Sequence, residues 1–164
     1  MAGSNPRTRK SEPKRTKAPS AWPVFLIAHD SLVAHIEDRL RESGLPELSW
    51  YTVLWVLHRA PDQRLRMHEL SDAAVITRSN LTRLVDRMEK AALVSRERVN
   101  YDRRGSYACL TQAGREMKSK IWRVYGPAIQ EYFTKQLSPE ENAMLHDIML
   151  RLIDGVRGPN SEIC

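Results

Sequence analysis

Between Thr77 and Ala92 the chain reads TRSNLTRLVDRMEKAA, and Leu81, Leu84, Val85, Met88 and Ala92 recur at the spacing of one helix face. Ser79, Arg83, Asp86 and Lys90 fall opposite, with Arg78 and Thr82 flanking and Arg87 on the other shoulder. One side suits a core and the other suits water and negative charge. Upstream, Met67 to Val75 predicts a short helix with Leu70, Ala73 and Ala74 turned inward, and Val75-Ile76-Thr77 separates the two, with Thr77 as N-cap. Two helices joined by a tight turn predict a helix-turn-helix, whose second helix enters the major groove.

The pattern then changes period. Val94 to Val99 alternates β-branched with charged residues, Asn100 to Ser106 holds turn-formers, and Tyr107 to Leu110 is a second short strand. This predicts a hairpin with Asp102, Arg103, Arg104 and Gly105 at its tip. Guanidinium groups at a hairpin tip suit a narrow minor groove, where the negative potential is enhanced. Asp102 then serves inside the protein, holding Arg103 or Arg104 beside it, or Arg96 or Arg98 across the hairpin, by a bidentate pair.

Helical periodicity returns on both flanks. Residues 22–42 place Phe25, Ala28, Leu32, Ile36 and Leu40 on one face and end at Ser43-Gly44. Ser49 to Ala60 carries Trp50, Val53, Leu54 and Leu57 and is closed by Pro61. A long helix opens at Thr111 and extends to about Leu137, with Gly126-Pro127 marking a kink. The last helix starts with a full capping box, Ser138-Pro139-Glu140-Glu141. It presents Leu145, Ile148, Met149, Leu152, Ile153 and Val156 as a continuous apolar stripe that needs a partner.

The segments LTRLVDRMEKAALVSR and YDRRGSYACLTQAG closely resemble the MarR (multiple antibiotic resistance regulator) family over roughly positions 64 to 115. The shared pieces are a leucine-rich recognition helix, an Asp-x-Arg wing tip and a Leu-Thr-x-x-Gly opening of the next helix. Asn80 stands where a small residue is common, and Ala92 replaces the usual glycine before Leu93, leaving the helix to close without the residue that favours a left-handed cap. The resemblance implies a mostly α fold with a small β-hairpin wing, a winged helix-turn-helix with N- and C-terminal dimerisation helices. It also implies a homodimer in which Phe25, Leu32, Leu145, Ile148, Leu152 and Ile153 meet a second subunit, intramolecular packing being the alternative. Two-fold symmetry sets two recognition helices about 34–36 Å apart on a pseudo-palindrome. Effectors of the family, often phenolic or aromatic acids, bind where the first, second and fifth helices meet. Trp22, His29, Trp50, Trp55 and Arg123 are the corresponding candidates, with core or interface packing as the alternative role of the tryptophans.

Charge sharpens this picture. The net charge of +6 divides into +5 over residues 1–20, −3 over 21–63, +4 over 64–104 and zero over the remainder. Basicity thus sits in a proline-bearing arm and in the DNA-binding unit, as a nucleic-acid partner requires. The arm, expected to be disordered, either adds phosphate contacts or is only a solvated leader. The expected organisation is that arm, N-terminal helices over 21–63, the DNA-binding unit over 64–110, dimerisation helices over 111–158 and a tail over 159–164.

Catalytic and metal chemistry find no support. The chain lacks a Gly-rich phosphate loop, a nucleophile elbow and a His-Glu-x-x-His pair, and its five histidines are scattered. The expectation is no cofactor, no metal, no membrane span and a cytoplasmic location. Cys109 and Cys164 make no disulfide framework, and the reactive cysteine of the family's peroxide-sensing branch, near the start of the first helix, is missing. The reading is a sequence-specific double-stranded DNA-binding regulator, a repressor released by a small ligand, with Arg78, Ser79, Asn80, Thr82, Arg83, Arg87, Arg103 and Arg104 on the DNA. A winged helix that binds only proteins, or a redox regulator using Cys109, are the alternatives.

Overall fold

The first helix, α1 (Ala21–Glu42), opens under Ser20, whose Oγ accepts a hydrogen bond from the Trp22 N–H at 3.4 Å, and closes at Ser43 with Gly44 left-handed at φ 65°. The computed structural model describes residues 20–98 and 106–158. After α2 (Leu48–Arg59) and a single 3-10 turn at Pro61–Gln63 come β1 (Arg64–Arg66), α3 (Met67–Ala74), α4 (Arg78–Lys90), β2 (Val94–Arg98) and β3 (Ser106–Leu110). The chain ends in α5 (Gln112–Tyr132), a 3-10 turn at Thr134–Gln136 and α6 (Pro139–Arg157). No helix among the described residues is long and apolar enough to cross a membrane.

One core holds the winged helix together. Val53, Leu54 and Leu57 of α2, Leu70 of α3, Leu81, Val85 and Met88 of α4, Val94 of β2 and Ile121 of α5 lose essentially all contact with solvent. Of the stripe read from sequence, Leu81, Leu84, Val85 and Met88 are buried, whereas Ala92 lies past the end of α4 and is exposed. In the sheet, Ala108 and Leu110 face this core, and the alternate residues Tyr107 and Cys109 face outward.

Three details differ from the sequence reading. The wing is a three-stranded antiparallel sheet in the order β1-β3-β2, with Arg64, Leu65 and Arg66 paired to Cys109, Ala108 and Tyr107. Three residues are too few to show a period, so β1 leaves no sequence signal. The fifth helix runs unbroken through Pro127 and stops at Tyr132, short of Leu137. Thr77 holds the N-cap position of α4, yet its side chain makes no capping bond. The capping box of α6 forms as read: Ser138 Oγ accepts from Glu141 N–H at 3.2 Å, and Ser138 N–H donates to the Glu141 carboxylate at 2.8 Å.

Gly114 fixes how α5 meets the wing. A Cβ there would fall on the Leu93 carbonyl oxygen and 2.8 Å from Leu110 Cδ1. Thr111 closes the same joint, its hydroxyl aimed at the Ala92 and Leu93 carbonyls at 2.8 and 2.9 Å while accepting from Gly114 N–H at 3.0 Å. The Leu-Thr-x-x-Gly segment is thus the bolt between the end of α4, the root of the hairpin and α5.

The two ends of the described chain stand apart from this core. The first half of α1, Ala21 to Asp30, is exposed throughout, including Trp22, Val24, Phe25, Leu26 and Ile27. No residue of α6 is buried, although the helix spans 19 residues and carries Leu145, Ile148, Met149, Leu152 and Ile153.

Candidate nucleic-acid interface

The outward side of α4 is shaped by what happens to its charges. Arg78, Ser79, Asn80, Thr82 and Arg83 are all exposed along its N-terminal half. Thr82 spends its hydroxyl proton on the Arg78 carbonyl at 2.9 Å, so its oxygen is presented as an acceptor. Among the described residues neither Arg78 nor Arg83 has a carboxylate partner, and both remain available to phosphate or base edges.

The acids of α4 are neutralised from the wing. Arg96 of β2 reaches Asp86 at 2.5 Å and Glu89 at 3.4 Å, and it donates to the Thr82 carbonyl at 3.4 Å with its side chain only 27% exposed. Its register partner on the sheet is Ala108, so Arg96 projects toward α4 rather than toward solvent. The sequence reading expected Arg96 to brace the wing, with Asp102 as one possible partner. Asp102, Arg103 and Arg104 lie outside the described residues, as do residues 1–19 of the N-terminal arm and Cys164.

Arg87 is engaged inside the protein. It pairs with Glu47, at the N-terminal end of α2, and its guanidinium lies 5.8 Å from the Trp50 ring centroid. Nothing in the sequence joins positions 40 residues apart, which is why Glu47 was not singled out. The sheet's outer face adds a cationic stack: Arg64 and Arg66 lie 5.2 and 5.6 Å from the centroid of Tyr107, and Arg64 also pairs with Glu97 at 3.3 Å. Cys109 shares that face. Burial, ahead of the neighbouring Glu97 charge, pushes its thiol up to about 11, so the thiolate that oxidation requires is withheld at neutral pH.

The five ligand candidates do not form one cluster of ring contacts among the described residues. Trp22 is 64% exposed and linked through Phe25 to His29, with ring centroids 6.0 and 6.4 Å apart. Trp50 lies under Arg87, and Trp55 under Arg59 at 5.2 Å. Arg123 lines an open cavity of about 310 Å³ whose walls, Gln112, Arg115, Glu116, Ser119 and Lys120 besides, all belong to α5. The aromatic cluster that does form was not read from sequence. Tyr51 of α2 stacks on Trp122 of α5 at 5.8 Å, and Tyr125 stands edge-on to both at 5.1 and 5.8 Å. Burial raises the pKa of both tyrosines, which keeps their hydroxyls protonated as donors.

Comparison with known proteins agrees with this geometry. The model of the MarR family matches residues 43–105. The crystal structure of AbsC, a MarR family transcriptional regulator from Streptomyces coelicolor, is 31% identical with a TM-score of 0.76, over 84% of this chain and 93% of that one. Sco3205, a MarR family regulator from the same organism in complex with DNA, is 29% identical with a TM-score of 0.79, over 92% and 98%. The uncharacterized HTH-type transcriptional regulator YkoM of Bacillus subtilis is 27% identical over 82% of this chain and 85% of its own length. The chain therefore belongs to the MarR family, as a DNA-binding winged helix-turn-helix transcriptional regulator rather than an enzyme.

Proposed function

We propose that the protein is a homodimeric repressor that reads a pseudo-palindromic operator and is released by a small ring-bearing ligand. The observation that carries the dimer is α6, amphipathic over 19 residues with none of them buried. The first half of α1 is likewise apolar and exposed, so two copies have faces to cover, with Phe25, Leu32, Leu145, Ile148, Leu152 and Ile153 as contacts.

Each protomer then contributes one reading unit. Arg78, Ser79, Asn80, Thr82 and Arg83 supply base and phosphate contacts from α4, and Arg103 and Arg104 supply them from the wing tip. Arg87 sits at the margin and acts through its Glu47 pair, orienting α4 on α2. The ligand site is centred on Tyr51, Trp122 and Tyr125, flanked in sequence by Trp50 and Arg123, because this cluster joins the wing's supporting helix α2 to α5. Trp22 and His29, on the exposed half of α1, and Trp55, under Arg59, make no ring contact with this cluster. A ligand wedged there alters the angle between the dimerisation helices and the winged helix, and with it the spacing of the two α4 helices.

Three measurements on the full chain test this reading. Sedimentation gives the oligomeric state, footprinting gives the number of protected half-sites, and a reporter gives the sign of regulation. Dimer, two half-sites about one turn apart and increased expression on deletion are expected. A monomer, one half-site or lowered expression would contradict the corresponding part.

A further inference from the structure

The turn that feeds α4 holds a side chain that the protomer does not use. Val75 adopts φ 56° and ψ 39°, the left-handed region that glycine enters freely and a β-branched residue does not. Its neighbours lock it there. Val75 N–H donates to the Asp72 carbonyl at 3.4 Å, Ile76 N–H to the Ser71 carbonyl at 3.1 Å, and Ser71 Oγ to the Ile76 carbonyl at 2.6 Å. The valine is 73% exposed and takes no part in the core, whereas Ile76 beside it packs against that core. A glycine or asparagine would satisfy the same turn without strain and without exposing an isopropyl group.

Its position supplies the missing partner. Val75 lies two residues before the N-cap Thr77 and three before Arg78, at the end of α4 whose exposed residues carry the free cations. In the major groove the base pairs display one apolar group, the C5-methyl of thymine. We propose that Val75 is a specificity-determining residue whose isopropyl group packs on a thymine methyl at the groove edge beside the Arg78 end of α4. This rests on α4 being the recognition helix, and it adds an apolar contact to the polar ones assigned there.

The test is selection of duplexes from a random-sequence library by the parent, Val75→Gly, Val75→Ala and, as a control on α4 itself, Arg83→Ala. Val75→Gly should melt higher than the parent, because relief of the left-handed strain leaves the fold intact. Both Val75 variants should bind the parent-selected duplex about fivefold more weakly, the effect of losing a partly buried apolar contact. Their selected pools should lose a preference for thymine at one position in each half-site. Replacing that thymine by deoxyuridine should weaken the parent by the same factor and leave both variants unchanged. Variant pools that keep the parent's thymine preference, or equal losses on deoxyuridine duplex for parent and variants, would overturn the proposal. Normal binding by Arg83→Ala as well would discard α4 as the recognition helix, whereas a loss confined to Arg83→Ala would discard only the role of Val75.

Discussion

Ala92 follows α4 in the left-handed conformation, φ 57°, with its N–H donating to the Glu89 carbonyl at 2.9 Å and the Leu93 N–H to the Met88 carbonyl at 2.9 Å. The helix therefore closes with the cap geometry that glycine favours, built from alanine. Ala92→Gly should raise stability by about 1 kcal/mol, seen as a higher denaturation midpoint with an unchanged slope. Gly114 is the opposite case. Gly114→Ala forces a methyl group against the Leu93 carbonyl, and a loss of about 3 kcal/mol or more is expected in the same measurement. Cys109 gives a prediction in pH. An unfolded thiol ionises near 9.0 while the native one holds its proton up to about 11, so stability falls as pH rises through that window. In a Cys164→Ser background, alkylation of Cys109 should stay slow near neutral pH and accelerate only well above 9.0. Fast alkylation at neutral pH would restore the redox reading.

At the scale of elements, α4 and the wing form one unit because Arg96 spans them. Arg96→Ala leaves Asp86 and Glu89 uncompensated on the helix proposed to face phosphate, and operator affinity should fall by about 1–2 kcal/mol, more at low salt than at high. Asp86→Asn in the same chain should recover part of that loss, an outcome that mere loss of folding would not give. The sequence announced this unit well, since Leu81, Leu84, Val85 and Met88 repeat with the helical period and all four are buried. The Ser138 capping box was equally legible because it is local, four consecutive residues satisfying one another. What escaped was non-local or brief. Strand β1 has three residues, Glu47 meets Arg87 across two helices, and Tyr51 meets Trp122 only after α2 and α5 pack. Pro127 lies within α5, where the helix continues past it to Tyr132. The tryptophans were legible as rings but not as neighbours, because spacing along a chain does not say which helices will touch.

The whole molecule is a folded winged helix with two apolar extensions that one chain leaves uncovered. Leu152 is 56% exposed on a helix otherwise patterned for burial, and the proposed dimer makes it an interface residue. Leu152→Glu or Ile148→Glu would place an unpaired charge in that interface at a cost of several kcal/mol, giving monomer or unfolded chain and weakened operator binding. Circular dichroism separates the two outcomes. The most direct test is sedimentation velocity of the parent protein at micromolar concentration, alone and on a duplex carrying two half-sites. The expected result is a dimer in solution and two protomers per duplex. A monomer that binds such a duplex tightly as a single protomer would contradict the account.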